Sequence, residues 1–215
     1  MKATASEDWW LREVRPEWAG HRWGTLHASA PTRLIGEAQT WADAPSGVLY
    51  IHARSIRAAY GFAVAISQRA GQALRRDRQP GTRILAVGLL DELVVPDDPD
   101  PDHTQQARRT YPAYSSADSR RAYLDEYIRR LREARLTLLR LPPTGDPEQV
   151  LDRVADHRRA KDLPTLIAST VPAHLVEPAY GPRIGWRLGF AQPDGSPIGY
   201  APADASVLDL DHPPG

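Results

Sequence analysis

Three polar residues that could hold a ligand, His27, Tyr50 and His52, stand in or beside extended-looking segments within residues 24–90. Imidazole and phenol groups at strand ends can hydrogen-bond a ligand or stack on it. The same positions fit a simpler interpretation, in which each histidine packs at a strand end and hydrogen-bonds the backbone. Tyr50, between Leu49 and Ile51, likewise fits a half-buried strand position that needs no ligand. Both interpretations remain open from the residues alone.

The elements that must position these residues follow from the spacing of apolar residues. Residues 22–28 are predicted to be extended, and a helix over 31–42 follows because Pro31 suits a first helical position. That helix has an apolar face, formed by Leu34, Ile35, Ala38 and Trp41. A strand is predicted at 47–53, and a helix capped by Ser55 follows it. A buried strand is predicted at 83–95.

The second half of the chain predicts a long amphipathic helix and returning strands. The helix covers 117–141, with an apolar stripe of Tyr123, Leu124, Tyr127, Ile128, Leu131 and Leu138. Asp146 caps a further helix. TLIAST, RIGWRLGFA and IGYA are strand-like, and QPDGSP joins the last two as a hairpin turn. We therefore predict an α+β fold with a split mixed or antiparallel sheet, flanking helices and a long helix in mid-chain.

One α+β domain is predicted over 1–204, followed by a loose tail at 205–215. The domain is predicted to begin with a β-α-β-α-β half at 1–104. A helical insertion at 105–162 and a set of returning strands at 163–204 follow.

Residues 24–90 resemble the NAD-binding half of ADP-ribosyltransferases of the histidine–tyrosine–glutamate type. In that family one strand carries Tyr-His-Gly-Thr, to which Leu26-His27-Ala28-Ser29 is similar. A second strand reads roughly Gly-Leu-Tyr-Phe-Ala, to which Gly47-Val48-Leu49-Tyr50-Ile51 is similar. A related small family of bacterial proteins reads Phe-Ile-His-Cys-Ser at the second strand, and His52 would match its histidine.

The resemblance implies a site and an activity. His27 would hydrogen-bond the nicotinamide-side ribose and Tyr50 would stack on the nicotinamide, with Ser29 and His52 beside them in the NAD site. Glu177 would be the carboxylate that steadies the oxocarbenium-like ribose as nicotinamide leaves. Glu126 is the alternative. The chain would then transfer ADP-ribose or hydrolyse NAD, or be a degenerate member of that fold.

Composition excludes several other classes. The 215 residues contain no cysteine, so a disulfide framework, a cysteine-ligated metal and a thiol nucleophile are excluded. The longest apolar runs are too short to span a bilayer, and we expect a cytoplasmic protein with no membrane partner. The sequence holds no phosphate-cradling Gly-rich loop, nucleophile elbow or paired His-x-x-x-His motif. No metal site is predicted.

Charge segregation suggests two other functions. An acidic loop at 91–102 precedes the arginine-rich helix 117–141, and the two could engage a protein partner or a second copy of the chain. The helix could instead bind nucleic acid. However, Asp125 and Glu126 stand four residues before Arg129 and Arg130, which favours pairing within the helix and makes nucleic acid the weaker alternative. The acidic loop lacks the spacing of a calcium loop and is expected to be solvated.

Overall fold

The computed structural model describes residues 10, 13–75, 82–93, 117–190 and 205–211. Within these residues five strands form one sheet in which every pair of neighbours is parallel. In chain order the strands are β1 (Val48–His52), β2 (Leu85–Leu89), β3 (Leu136–Arg140), β4 (Thr165–Ser169) and β5 (Ser206–Asp209). Their order across the sheet is β2-β3-β4-β1-β5.

Helices cover both faces of this sheet. The first face carries α1 (Trp23–Ser29), α2 (Thr32–Asp43) and α3 (Ile56–Arg75). The second face carries α4 (Ala117–Glu133), α5 (Val150–Ala160), α6 (Val176–Tyr180) and α7 (Pro182–Arg187). In the part of the chain described, no helix is long and apolar enough to cross a membrane.

The alternation of side chains along β1 explains why the sheet has two cores. Leu49 and Ile51 join the apolar cluster of the first face, whereas Tyr50 between them joins that of the second. All three are buried. A strand covered on both sides needs apolar residues at every position, which is typical of parallel sheets between helix layers.

The chain reverses direction across the sheet between β1 and β4. From β1, α3 crosses the first face and leads to the far edge strand β2. From β2 the chain steps back through β3 to β4, with α4 and α5 on the second face. When the connections change direction across the sheet, their helices also change from the first face to the second. The crossover connections therefore all have the same handedness. The fold is a doubly wound, three-layer α/β/α arrangement.

The prediction of helices combined with a sheet is confirmed, but the split mixed or antiparallel sheet is wrong, because the sheet described is entirely parallel. ILAVGLL, TLLRL and TLIAS are continuous apolar runs, as expected for strands buried on both faces. The predicted hairpin is also wrong in its first arm, since Pro182–Arg187 is helical. Its turn and second arm lie outside the described residues.

Two element assignments are corrected. Residues 22–28, predicted to be extended, contain most of α1, which is held on α3 by a hydrogen bond from the Trp23 backbone N–H to Gln68 Oε1 (3.0 Å). The helix predicted over 117–141 ends at Glu133, and β3 follows as a central strand inside the predicted helical insertion. Short apolar runs fit either structure by periodicity alone, so tertiary burial decides.

Other assignments are confirmed. The helix predicted at 31–42 is α2, with Leu34, Ile35, Ala38 and Trp41 buried as expected. The strand at 47–53 is β1, and α3 begins directly after Ser55. The predicted strand at 83–95 is shorter than expected, because β2 ends at Leu89 and a tight helical turn, Leu90–Glu92, follows.

Candidate functional site

Polar side chains from every strand gather at the carboxyl edge of the sheet. Because the strands are parallel, their carboxyl ends meet at this one edge, where doubly wound folds bind their ligands. The residues that end the strands or follow them here are His52, Asp91, Glu92, Arg140, Ser169, Asp209 and Asp211. The carboxyl edge is therefore the candidate site.

The strand order reverses at β1 and β4, and in doubly wound folds such a reversal forms a crevice between the loops that follow the two strands. Helix α3 leaves β1 on the first face, while α6 and α7 leave β4 on the second. A backbone hydrogen bond joins the two loops where they begin, because the Ala53 N–H donates to Ser169 O at 3.2 Å. Beyond this bond the loops lead to opposite faces of the sheet. A crevice of this kind receives a ligand in many α/β proteins.

A histidine and two aspartates meet on the other side of β1. His52 and Asp209 are register partners in β1 and β5, and His52 Nδ1 lies 3.1 Å from Asp209 Oδ1. Asp211 completes the group, with ligand-type atoms of all three residues within 4.8 Å of one another. His52 is 5% exposed, and its Nδ1 has no hydrogen-bond partner within the described chain, so the close approach to Asp209 lacks hydrogen-bonding geometry.

The loop from β1 to α3 is rich in positive charge. Arg54 precedes α3 and Arg57 lies in its first turn; both are exposed, and that turn contains no acidic residue. The Arg54 backbone N–H donates to Asp211 Oδ2 at 2.5 Å. The first N–H groups of a helix have no partner within it and carry partial positive charge, so this end of α3 attracts anions.

The loop after β4 is fixed by buried hydroxyl groups. Tyr50 Oη donates to Val171 O (2.7 Å), and Tyr180 Oη donates to Pro142 O (2.6 Å) and lies 3.2 Å from Ser169 Oγ. Burial raises the pKa of Tyr180 to about 12, and burial also raises the pKa of Tyr50 strongly, while the Ser169 hydroxyl opposes both shifts. These phenols stay protonated and act as fixed donors that shape the crevice.

An ion-pair network occupies the β2–β3 end of the edge. Arg140, only 8% exposed, donates through Nε to Asp91 Oδ1 (2.8 Å) and through Nη2 to Glu92, while Arg15 donates to the same Glu92 at 2.6 Å. Burial alone would raise the pKa of Glu92, but the hydrogen bonds and charges of the two arginines outweigh it and hold that pKa below its ordinary range. The Arg140 guanidinium also lies 5.2 Å from the Tyr60 ring centre. The network fixes the turn after β2.

A small cavity at the opposite, amino edge has a structural explanation. It is lined in part by Arg158, Thr165 and Arg187. Arg158 is 1% exposed and donates to the carbonyls of Ala134 (2.7 Å) and Pro164 (2.5 Å) and to Thr165 Oγ1 (2.9 Å). Its donors are thus used to hold the end of α4 against the start of β4. The carboxyl edge, where the strand order reverses, is the candidate ligand site.

The structure separates most of the residues that the sequence predicts for the NAD site. His27 is exposed on α1, over the first face, whereas Tyr50 is buried in the core of the second. Ser29 is the last residue of α1. Glu177 lies half-buried on α6, where its side chain packs beside Gly185 of α7. Of the predicted site residues only His52 stands in the group at the carboxyl edge.

The arginine-rich helix is paired within the chain at several positions. Arg129 bridges Glu126 and Glu133 at 2.8 and 2.9 Å, and Arg130 lies 3.7 Å from Glu13. The i,i+4 pairs predicted from Asp125 and Glu126 are replaced by these contacts, and Asp125 pairs with Arg153 of α5 instead. In the predicted acidic loop only 91–93 is described, and Asp91 and Glu92 face Arg140 of β3.

Arg140, Asp209 and Asp211 at the carboxyl edge were not predicted from the sequence. Arg140 stood inside the helix predicted over 117–141. The two aspartates stood in the segment predicted as a loose tail, although LDLD at 208–211 alternates apolar and polar residues as an edge strand does. That alternation was the signal for β5 and the acids at its end.

No protein-family model matches this sequence, and a comparison with curated proteins finds no match.

Proposed function

We propose that this chain binds a nucleotide at the carboxyl edge of the sheet, with the phosphates against the β1–α3 loop. The observation that carries the proposal is the reversal of strand order between β1 and β4, which opens a crevice beside the first turn of a 20-residue helix. Mononucleotides and dinucleotides bind at such a position in doubly wound folds, with phosphate at the helix N-terminus.

The charge of the loop supports an anionic ligand. Arg54 and Arg57 stand near the positive end of the α3 dipole, where a cation costs about 0.3–1 kcal/mol when no anion is bound. A bound phosphate would pair with both guanidinium groups. The Arg54 N–H already donates to the carboxylate of Asp211, so a phosphate would be held by the arginine side chains and not by this amide.

The residues of the loop define how the phosphate would be held. A phosphate-cradling loop uses glycines so that the backbone can approach the ligand. His52-Ala53-Arg54-Ser55 has no glycine. Guanidinium groups, which pair with phosphate oxygens through two parallel hydrogen bonds, then carry more of the contact than in a Gly-rich loop. Affinity should therefore depend on the arginine side chains.

The test is calorimetric titration of ADP, NAD and inorganic pyrophosphate in the presence of a chelator. We expect saturable binding of at least one of them, weakened at least about tenfold in the double variant Arg54→Ala/Arg57→Ala. The matched control is Arg75→Ala, at the other end of the same helix, roughly 27 Å away along its axis. It should bind like the wild type. Absence of binding at about millimolar ligand, or equal affinity in the double variant, would overturn the proposal.

ADP-ribosyl transfer or NAD hydrolysis stays a prediction of the sequence. NAD is one member of the nucleotide class proposed, but His27 is exposed on α1 over the first face, whereas Tyr50 is buried in the core of the second. The variant His27→Ala separates the two hypotheses. Loss of NAD binding in that variant would favour the site implied by the resemblance, whereas dependence on Arg54 and Arg57 favours the carboxyl edge. Partner binding and nucleic-acid binding through residues 117–141 also stay predictions.

A further inference from the structure

We infer that His52, Asp209 and Asp211 form a binding site for a divalent first-row transition metal ion such as Zn²⁺. The residues come from two neighbouring strand ends, so the sheet register itself brings one imidazole and two carboxylates together. Of the residues that the structure describes, only these three make such a group. The site uses none of the residues that carry the proposed nucleotide contact through their side chains.

The distances fit ligands that share one ion. Bonds of about 2.0–2.2 Å place the ligand atoms of a tetrahedral Zn²⁺ ion about 3.3–3.6 Å apart. His52 Nδ1 and Asp209 Oδ1 are separated by 3.1 Å, and all three ligand atoms lie within 4.8 Å of one another. Asp211 is exposed, so a small rotation of its carboxylate brings it to bonding distance.

The buried histidine gives a second and independent reason. Leaving a buried polar nitrogen without a hydrogen bond costs about 1–3 kcal/mol. His52 Nδ1 is such a nitrogen within the described chain, although a carboxylate oxygen lies beside it. An imidazole nitrogen and a carboxylate that approach each other without hydrogen-bonding geometry are arranged as two ligands of a cation would be. A metal ion between them gives His52 Nδ1 the partner that it lacks within the described chain.

The backbone holds the two carboxylates in place. The Asp211 N–H donates to Asp209 Oδ1 at 3.0 Å, and the Arg54 N–H donates to Asp211 Oδ2 at 2.5 Å. Hydrogen bonds of this kind orient the ligands of metal sites, and their loss costs about 10–100-fold in affinity. A mixed nitrogen and oxygen set favours Zn²⁺ over Mg²⁺, which prefers oxygen ligands and keeps most of its water.

Three protein ligands leave coordination positions for water or for an anionic ligand. Because Arg54 joins Asp211 to the phosphate side of the crevice, a bound ion would stand close to the proposed nucleotide contact. The metal site does not depend on that contact. Its test therefore uses the metal alone, with no nucleotide present.

The experiment is titration of ZnCl₂ into the full chain after chelator treatment. We expect one saturable site, weakened at least about tenfold in Asp211→Asn and in Asp209→Asn, with MgCl₂ binding more weakly. The control is His27→Ala, which removes an exposed imidazole on α1 and should leave this site intact. Circular dichroism of each variant verifies that it is folded. If a substitution of Asp209 at the end of β5 prevents folding, Asp211→Asn at its exposed position still tests the inference.

Two results would overturn the inference. Zinc binding of unchanged affinity in the Asp209→Asn/Asp211→Asn double variant would place the ion elsewhere, and absence of binding to the folded wild type would remove it. Neither result bears on the nucleotide proposal, whose titration is made with chelator present. Loss of nucleotide binding with zinc binding retained would likewise leave the metal site standing.

Discussion

The Asp211 carboxylate and the Arg54 backbone N–H lie 2.5 Å apart, and this contact joins the end of β5 to the loop that begins α3. It places a negative charge at the N-terminus of a helix, where anions are stabilising. The same contact orients a residue of the proposed metal site.

We expect Asp211→Ala to lower the free energy of unfolding by about 1 kcal/mol, because it removes a charged acceptor near a helix N-terminus. Asp211→Asn keeps an oxygen acceptor and should lose about half as much. Urea unfolding of both variants in chelator measures the difference without any metal contribution. Equal losses in the two variants would mean that the hydrogen bond to Arg54 contributes nothing.

Local elements could be predicted from this sequence where the pattern was strong. Helix α2 has apolar residues on one face and a proline before its first turn, and both signals are local. Strand β1 has four buried residues in succession, from Leu49 to His52. Neither signal depends on what the rest of the chain does, and both predictions are confirmed.

The strand order could not be predicted, because it depends on which face each crossover helix covers. β3 illustrates the difficulty: LTLLR directly follows the last turn of α4, and its leucines continue the helical stripe of Ile128 and Leu131. Only burial between β2 and β4 separates the two structures. The candidate site shares this difficulty, since His52, Asp209 and Asp211 come together through the pairing of β1 with β5.

Arg158 should be indispensable for stability. Its guanidinium donates to carbonyls at the end of α4 and before β4, and its burial lowers its own pKa to about 9. We expect Arg158→Leu to cost about 3–5 kcal/mol, because the variant leaves several buried carbonyl oxygens without donors. Arg158→Lys should recover only part of this loss, since one ammonium cannot reach all the acceptors.

Thermal and urea unfolding measure the effect of both Arg158 variants. Arg153→Ala, on the exposed side of the same helix, removes a surface pair with Asp125 and should change stability by less than about 1 kcal/mol. An Arg158→Leu variant as stable as Arg153→Ala would contradict the role assigned to the guanidinium.

We expect low pH to remove the stabilising contribution that the Glu92 carboxylate makes at the β2–β3 end of the sheet. The pKa of Glu92 is lower in the folded chain than its ordinary value of 4.5, because Arg140 and Arg15 outweigh the effect of burial. A lowered folded-state pKa stabilises the fold above the unfolded pKa, and the contribution is lost as pH falls through the folded pKa. Glu92→Gln should therefore be less stable than the wild type at pH 7, with the gap narrowing below about pH 4.5.

Urea unfolding from pH 7 to pH 3 checks this expectation. Glu37→Gln removes an exposed i,i+4 pair with Arg33 and is the control, with a stability change expected within about 0.5 kcal/mol at pH 7. A Glu92→Gln gap that stays constant across the acid range would show that the carboxylate charge is not what stabilises this edge.

Gly88 and Gly36 form a matched pair for testing the packing of the sheet. An added Cβ at Gly88 would lie 2.9 Å from Leu139 Cδ2 and 3.1 Å from Leu131 Cδ1, so Gly88→Ala should cost about 1–3 kcal/mol by overpacking the core under α4. At Gly36, on the exposed face of α2, nothing lies within 4 Å, and Gly36→Ala should stabilise the helix by up to about 1 kcal/mol. Adding Leu139→Val to Gly88→Ala should recover part of the lost stability. The shorter valine lacks the Leu139 Cδ2 methyl group that the added Cβ would contact. Urea unfolding of the three variants decides the matter, and a neutral Gly88→Ala would mean that the leucines can move aside at no cost.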